Sequence, residues 1–315
     1  VPPTGIVHIG LSNFHRGHLA VYTATAVDQA GGDWGIVATT RRRDMAESML
    51  AQDLLYSVVD FAPGTEAITV PAVHTAVLDT ATDVGELVAA IANPATKIVS
   101  LTITEAGYKF SPRTGGLDLD SAQVQADLTG GDPVTAVGQI ARGLLKRADH
   151  GTPLAVLSCD NMNSNGDLMR RLLTEFAAAL SPAETAALTG YLDLAVSFPN
   201  AMVDRIVPAT DDRVRAMAAQ RLGAVDAIPV AAEPFSMWVM EDDFAGGRPA
   251  WERHGAIFSD DVPAYETLKL RYLNGSHSLI VYLGALAGCR TIPDARFTPW
   301  IEREIRALLA EYEPT

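Results

Sequence analysis

The first half of the chain alternates short apolar runs with amphipathic stretches. The apolar runs cover residues 5–11, 34–40, 54–61, 67–79, 96–107 and 153–161. Stretches with helical spacing of apolar positions cover residues 16–31, 43–53, 83–94 and 133–151. Because the runs are apolar on both faces and alternate with helices, they predict an α/β fold with a doubly wound parallel sheet, which is Rossmann-like.

The second half of the chain has a different pattern. Helical spacing covers residues 211–224, 264–288 and 298–312, and no long β-like runs are seen. We therefore predict a dinucleotide-binding domain over residues 1–205 and a mostly helical substrate and catalytic domain over residues 206–315. The Gly- and Asp-rich segment 111–133 is predicted to be a long loop insertion.

Composition narrows the class of protein. The chain has 315 residues and a net charge of −14, which argues against nucleic acid and anionic membranes as partners. Two cysteines, far apart, suit a reducing compartment rather than a disulfide framework. The N-terminus resembles no signal peptide, and the apolar runs are too short to span a membrane. We expect a cytoplasmic protein with a small-molecule substrate.

A glycine turn follows the first predicted strand, in the segment GLSNFHRGH. In a doubly wound fold this turn and the following helix would meet the pyrophosphate of a dinucleotide. The glycine fingerprint is imperfect, because Gly10 fits its first position but Ser12 and His15 occupy the other two. An ordinary strand-to-helix turn is the alternative. His15 and His18 have the spacing of a metal pair but no third ligand nearby, so no metal is expected, and Arg16 is either a phosphate contact or a surface charge.

The second predicted strand ends at TTRRRD. A carboxylate here, such as Asp44, would bind the ribose hydroxyls of NAD, whereas Arg41, Arg42 or Arg43 would accept the 2′-phosphate of NADP. A solvated charge cluster that opens a helix is the third possibility. This strand end alone does not distinguish NAD from NADP; for the protein as a whole we expect NAD as the cofactor, with NADP possible.

The segment KLRYLNGSHS places Lys269, Asn274 and His277 on one predicted helix, which Gly275 would loosen. Alcohol oxidation by hydride transfer needs a base, a donor for the developing alkoxide and a group that orients the substrate. A lysine, an asparagine and a histidine can supply these functions. One alternative is an amphipathic helix with a snorkelling lysine. Another is the Y-x-x-x-K pair of short-chain dehydrogenases, formed by Tyr265 and Lys269.

Two further segments carry polar groups beside apolar runs. SCDNMNSNGD follows the last strand of the first half, where the ligand crevice of an open α/β sheet lies. Asn161, Asn163 and Asn165 suggest a calcium loop, but Leu172 stands where its bidentate glutamate would be. FPNAMVDRIVP presents Asp204 and Arg205, which are either an ion-paired hinge or substrate contacts.

Together these segments resemble the mannitol dehydrogenase family, the polyol-specific long-chain dehydrogenases that include fructuronate and tagaturonate reductases. The segments that carry the resemblance are IGLSNFHRGH, QDLLYSVV, TITEAGY, TGGLDLD, SCDNMNSNG, FPNAMVDRIVPAT, EPFSMWVMEDDF and KLRYLNGSHS. They occur in family order along nearly the whole chain. The family's phosphate turn usually has glycine where this chain has Ser12, and serine can still present its backbone.

The resemblance implies a metal-independent, usually monomeric NAD- or NADP-dependent oxidoreductase that interconverts a polyol or aldonate with its ketose or keturonate. It implies that Lys269 is the general base, that Asn274 binds the oxyanion and that His277 orients the substrate. A second oxyanion asparagine would be Asn165, which we favour because it opens the following helix, or Asn161.

The resemblance places substrate contacts at Asp204, Asn161 and Arg205. The expected cofactor contacts are Gly10, Ser12, Asn13, Phe14, His15, Arg16, Asp44 and Glu105. Members of the family are longer than this chain, so we expect a truncated C-terminal domain. The alternative function is therefore a dinucleotide-binding protein or truncated paralogue without catalysis.

Overall fold

The structure is a computed structural model that describes residues 1–61 and 67–312. Its strands are β1 (Thr4–Ile9), β2 (Gly35–Thr40), β3 (Val58–Asp60), β4 (Ile68–Thr69), β5 (His74–Asp79), β6 (Ile98–Leu101), β7 (Phe110–Ser111), β8 (Gly116–Leu117), β9 (Leu154–Ser158), β10 (Val196–Ser197), β11 (Ala201–Asp204), β12 (Val230–Ala232), β13 (Met237–Met240) and β14 (Ile257–Phe258). Its α-helices are α1 (Asn13–Gly17), α2 (Leu19–Ala30), α3 (Arg43–Ala51), α4 (Val84–Ala92), α5 (Ala122–Leu128), α6 (Ala136–Arg147), α7 (Asn165–Ala178), α8 (Pro182–Ala195), α9 (Asp212–Leu222), α10 (Val262–Leu268), α11 (Gly275–Leu286), α12 (Ile292–Arg296) and α13 (Pro299–Tyr312).

The chain forms two compact units, Val1–Asp260 and Asp261–Thr315, and residues 313–315 of the second lie outside the described residues. The division falls at residue 260 rather than near residue 205. The reason is strand pairing, since β12 pairs with β3 and β13 pairs with β11, both within the first unit. These short strands lacked the long apolar run that would have predicted them.

A six-stranded parallel sheet is the centre of the first unit, in the order β10-β9-β6-β1-β2-β5. Every pairing in it is parallel, and β1 lies between β6 and β2. This confirms the predicted α/β, Rossmann-like fold. Because the strands are parallel, their carboxyl ends meet at one edge, where β1, β2, β5, β6 and β9 run into loops.

Both faces of the sheet are buried. Ile6 and Ile98 point into one apolar core, whereas their neighbours Val7 and Val99 point into the other. This alternation is the two-residue period of a strand, and apolar residues stand on both sides of it. The apolar runs of the sequence therefore predicted the central strands correctly.

Helix caps set several element boundaries. Thr135 accepts a hydrogen bond from the Gly138 backbone at the start of α6, and Asp211 does the same for Val214 at the start of α9. Ser181 and Glu184 form a capping box around Pro182, which begins α8. Segment 111–133, predicted as a loop insertion, contains the end of the β7–β8 hairpin and α5.

The second unit is helical. Helix α10 passes into a π-helical segment, Lys269–Asn274, which continues directly into α11. Helices α12 and α13 follow, and Ile280, Ala295 and Ile301 form its small buried core. Within the described parts of the chain, no helix is long and apolar enough to cross a membrane.

Candidate functional site

The turn after β1 is a glycine site for steric reasons. Gly10 has a φ of +103°, a conformation that residues with a side chain rarely adopt. A Cβ atom at this position would lie 2.4 Å from the backbone oxygen of Thr102. The Leu11 N–H donates to the Thr39 carbonyl at 2.7 Å, so the turn is also held against the end of β2.

The residues after the turn form the short helix α1. Ser12 caps it, because its hydroxyl oxygen accepts from the His15 backbone N–H at 3.1 Å. Phe14 stacks on His18 with ring centroids 4.9 Å apart. Asn13 accepts at its side-chain oxygen from Arg16 Nη2 at 2.7 Å. The strand, glycine turn and helix predicted for a phosphate turn are therefore present, with serine at the second position.

The Arg16 side chain is directed inward. It is 1% exposed, and its guanidinium donates to the Ile228 carbonyl and lies over the Tyr56 ring, 5.1 Å from the centroid. The Arg16 side chain is therefore buried and does not lie at the surface of the turn, where the predicted phosphate contact would be. A histidine and an arginine in a five-residue helix give no periodicity from which their direction could be read.

A buried histidine cluster lies beneath the turn. The rings of His8 and His15 stack with centroids 3.6 Å apart, and His15 Nε2 lies 3.0 Å from His74 Nε2. Burial lowers the pKa of His8 to about 3 and that of His74 to about 3. The cluster is therefore neutral, and the His15 ring is fully buried within it rather than exposed at the turn.

The first of two clefts opens at the carboxyl ends of β1, β2 and β5. This strand-end cleft has a volume of about 290 Å³. Its lining residues are Ile9, Gly10, Thr39, Thr40, Arg41, Thr80, Ile103, Thr104, Ala106, Gly107, Lys109, Gln123, Val134, Thr135, Ala136 and Gln139. The lining is neutral or cationic, and it includes the glycine turn.

A second, larger cleft of about 700 Å³ adjoins the first, and we call it the loop cleft. Its lining residues are Ser12, Phe14, Thr102, Ile103, Thr104, Glu105, Ala106, Cys159, Asp160, Asn161, Met162 and Val203. Both clefts are lined by Ile103, Thr104 and Ala106. Together they follow the strand ends, which is where an open α/β sheet binds its ligand.

One buried pair at the loop cleft was not predicted. The Tyr108 hydroxyl donates to Asp160 Oδ2, and the Met162 N–H donates to Asp160 Oδ1 at 3.0 Å. Burial raises the pKa of both the Tyr108 hydroxyl and the Asp160 carboxyl. The sequence signal that could have revealed the pair is an aspartate two residues after the end of strand β9.

The two candidate asparagines of this loop differ in exposure. Asn161 is exposed and lines the loop cleft. Asn165 opens α7, as predicted, but it is 0% exposed. Its amide nitrogen donates to the Ala201 carbonyl at 2.8 Å and its oxygen accepts from the Ala201 N–H at 2.9 Å. Asn165 thus ties the start of α7 to β11.

Asp204 and Arg205 separate at the end of β11. Asp204 is the last residue of the strand and pairs in register with Met237. Arg205 is buried and ion-paired with Asp60, with its Nη2 2.7 Å from Asp60 Oδ1. It also donates to the carbonyls of Gly17 and Glu233. These contacts hold the end of α1 and strand β3 to β11.

The π-helical segment of the second unit begins at Lys269 and ends at Asn274. An α-helix would place these two residues roughly 140° apart around its axis. A π-helix bonds residue i to residue i+5, so a spacing of five residues covers slightly more than one turn and brings the two residues towards the same side. His277 lies three residues further on in α11, on the same side as Asn274. Tyr265, of the alternative Y-x-x-x-K pair, lies in α10 of this second unit and not in the unit that holds the sheet.

The acid predicted to contact the ribose is engaged elsewhere. Asp44 lies in the first turn of α3, where Arg42 donates to both of its oxygens, at 2.6 and 3.3 Å. This bonding holds the Asp44 pKa below its ordinary value. Asp44 is not among the described residues that line either cleft. Residues 1–61 and 67–312 contain no group of three or more His, Cys, Asp or Glu side chains arranged to hold a metal ion.

Two family models match the chain. The mannitol dehydrogenase Rossmann domain matches residues 4–253, and the mannitol dehydrogenase C-terminal domain matches residues 261–314. The gap between the two matches contains residue 260, where the two compact units divide.

Individual relatives agree with these matches. An uncharacterized oxidoreductase of Escherichia coli, YeiQ, is 40% identical over 98% of this chain and 64% of its own length. The D-mannonate oxidoreductase of the same organism is 38% identical over 98% and 65%. A Pseudomonas fluorescens mannitol 2-dehydrogenase, solved as a ternary complex with NAD and D-mannitol, has a TM-score of 0.88 and 37% identity over 98% of this chain and 63% of that one. The chain thus spans slightly under two thirds of the length of these relatives.

Proposed function

Because the chain belongs to the mannitol dehydrogenase family, we propose that it is an NAD(P)-dependent oxidoreductase for a polyol or an aldonate. The observation that carries the proposal is the pair of adjoining clefts at the strand ends, opening at the Gly10 turn. The solved relative in complex with NAD and D-mannitol supports the same assignment.

The first unit fits a dinucleotide. Gly10 has no side chain, so the backbone of the turn can come close to a bound pyrophosphate. Gly10, Ser12 and Asn13 would lie at the phosphates, and Phe14 and Glu105 would lie along the loop cleft towards the nicotinamide. When bound, the dinucleotide supplies or accepts the hydride.

The second unit supplies the proton chemistry in this proposal. The Lys269 amine, in its neutral form, removes the proton from the substrate hydroxyl as the carbon loses its hydride. The Asn274 amide donates to the oxygen on which negative charge develops. His277 binds a neighbouring hydroxyl and orients the substrate. In the reverse direction the Lys269 ammonium returns the proton to the carbonyl oxygen.

A second amide donor is proposed from the loop after β9. Asn161 is exposed at the loop cleft, whereas Asn165 is buried and bonded to Ala201. The exposure of Asn161 supports it as the direct donor, and Asn165 then positions the loop. Asp204, at the end of β11, is proposed as the acceptor for a substrate hydroxyl.

The names of the relatives support two substrate classes. One relative is a mannitol 2-dehydrogenase and another a D-mannonate oxidoreductase, so both neutral polyols and aldonates belong in the test. We propose screening the chain against mannitol, sorbitol, arabinitol, mannonate and altronate with both dinucleotides. Binding of a dinucleotide without turnover of any of these compounds would favour a binding protein without catalysis.

Replacing Lys269 tests the mechanism. We expect Lys269→Ala to lower kcat by about 100- to 10 000-fold, because the proton acceptor is lost. Dinucleotide affinity, measured by fluorescence titration, should stay within about twofold of the parent. Lys146→Ala, at an exposed lysine on α6, is the matched control and should retain activity. Near-normal turnover in Lys269→Ala would refute the assigned role.

A further inference from the structure

We propose that the strand-end cleft prefers NADP(H) to NAD(H), and that Arg41 binds the 2′-phosphate of the adenosine ribose. This inference rests on the proposed dinucleotide function and names the form of the cofactor that the cleft selects. Four observations support it: the position of Arg41, the charge of the cleft lining, the engagement of the nearby acid and the hydrogen bonding of the Arg41 guanidinium.

The position of Arg41 is the one that reads the ribose in a doubly wound fold. It directly follows Thr40, the last residue of β2, and β2 lies next to the strand that ends at the Gly10 turn. At this strand end a carboxylate bonds the two ribose hydroxyls of NAD, and an arginine accommodates the extra phosphate of NADP. Arg41 lines the strand-end cleft together with Thr39 and Thr40.

The charge of the lining favours an anion. Arg41 and Lys109 are the charged residues among the described residues that line this cleft, and no carboxylate is found there. The whole chain, in contrast, carries a net charge of −14. A cationic cleft on an acidic protein attracts a doubly charged phosphate, and it offers no carboxylate acceptor to the hydroxyl that NAD presents at the same place.

The acid that could reverse this preference is already paired. Asp44 is held by two hydrogen bonds from Arg42, so its carboxylate would have to exchange this partner to reach a ribose. The same pairing uses the Arg42 side chain. Arg43, next in the chain, bonds Glu47 at 2.9 Å on the exposed face of α3. Of the three consecutive arginines, Arg41 is the one that lines the cleft.

The Arg41 side chain is held in place with donors to spare. Its Nη2 donates to the Val134 carbonyl at 3.0 Å, and Val134 lines the same cleft. A guanidinium has five N–H donors in a planar fork that matches a phosphate. Among the described residues no ion pair to Arg41 is found, so the remaining donors are available to the 2′-phosphate.

The experiment measures affinity without turnover. Isothermal titration gives Kd values of the 315-residue chain for NADP⁺, NAD⁺ and adenosine 2′,5′-bisphosphate. We expect NADP⁺ to bind at least about 10-fold more tightly than NAD⁺, as one charge-assisted fork contributes. Arg41→Gln should weaken NADP⁺ and the bisphosphate by about 10-fold or more and leave NAD⁺ within about twofold.

Arg43→Gln is the matched control, because it removes another exposed arginine of the same run that bonds Glu47 and does not line the cleft. It should leave both affinities unchanged. NAD⁺ binding as tightly as NADP⁺ in the parent would overturn the inference and leave the proposed function intact. So would an Arg41→Gln variant that loses both cofactors equally, since that would place Arg41 at the shared pyrophosphate. If neither dinucleotide binds, the proposed function falls and this inference with it.

Discussion

Individual side chains in the first unit have two kinds of role around the Gly10 turn. Some line the clefts, such as Ser12 and Arg41, and others support the turn from below, such as His8, His15 and Arg16. The supporting residues are polar yet fully buried, so their hydrogen bonds and protonation states influence stability more than chemistry. Substitutions in the two groups should therefore have separable effects.

Gly10→Ala should damage the turn itself. The new Cβ would meet the Thr102 carbonyl at 2.4 Å, and the positive φ adds backbone strain. We expect a loss of about 2–4 kcal/mol in the free energy of unfolding and weaker dinucleotide binding. Urea denaturation and fluorescence titration measure the two effects. Gly131→Ala, where a Cβ has open space, is the control and should change stability by less than about 1 kcal/mol.

The histidine cluster should make stability depend on pH. His74 has a pKa of about 3 in the folded chain and 6.5 as an ordinary histidine, so the unfolded chain binds more protons between these values. Stability is therefore complete above about pH 6.5 and decreases as the pH falls towards 3. Between pH 7 and pH 5 one such histidine contributes a loss of about 2 kcal/mol.

His74→Gln should remove that contribution. Urea denaturation at pH 7 and pH 5 should show a fall in unfolding free energy about 2 kcal/mol smaller than in the parent. His150→Gln, at an exposed histidine, serves as the control and should reproduce the parent's fall. An equal fall in His74→Gln and in the parent would show that this ring is not buried neutral.

At the scale of elements, the Arg147 side chain links the carboxyl end of α6 to several neighbouring segments. Arg147 is 0% exposed and donates to five carbonyls, those of Ile91, Asn93, Thr96, Thr152 and Pro153. These carbonyls belong to the end of α4 and to the segments that lead into β6 and β9. The Arg147 cation also lies in the last turn of α6, where a positive charge interacts favourably with the helix dipole.

Arg147→Met should destabilise the first unit strongly. It keeps much of the apolar stem but removes five hydrogen bonds, two of them, to Ile91 and Thr96, fully buried, and we expect a loss of about 3–5 kcal/mol. Arg170→Met removes an exposed arginine that lies 3.5 Å from Asp193, and it should cost less than about 1 kcal/mol. Thermal unfolding followed by circular dichroism would compare the two variants. Equal melting temperatures would contradict the role of Arg147.

The elements that could be predicted are those with a long, regular pattern. The alternation of apolar runs and helices predicted the parallel sheet, and Asn165 was correctly predicted to open a helix. Strands β10 to β14 have two to four residues each, too short to show a period. Helix α8 has a clear signal, the capping box at Ser181, which the pattern of apolar positions alone did not reveal.

The candidate site was predictable in residue type but not in direction. Histidine and arginine after the glycine turn suggested phosphate contacts, but tertiary packing turns both side chains inward. The ion pair between Arg42 and Asp44 likewise could not be predicted, because any of the three arginines in this run of four charged residues could have bound the aspartate. The π-helical segment from Lys269 to Asn274 has no sequence signature of its own. The five-residue spacing of these two residues matches the i to i+5 bonding of a π-helix, but the spacing alone does not predict one.

At the scale of the whole molecule, the first unit contains both clefts that we propose to bind the dinucleotide. Its two large cores lie within residues 1–260, and both clefts are lined from the same range. A chain of residues 1–260 should therefore fold, melt cooperatively and bind a dinucleotide with an affinity within about threefold of the parent. It should show no turnover, because Lys269 is absent. Loss of dinucleotide binding in this shorter chain would contradict the assignment of the clefts.

The four tryptophans divide between the units in a way that experiment can exploit. Trp238 and Trp251 are fully buried in the first unit with ring centroids 4.6 Å apart, and Trp34 is buried beneath Lys97. Trp300, in the second unit, is 40% exposed. Indole emission shifts to the blue in apolar surroundings and to the red in water, so one spectrum contains distinct signals from the two units. A reduced nicotinamide absorbs in the range of that emission, which makes energy transfer from these indoles a label-free reporter of cofactor capture.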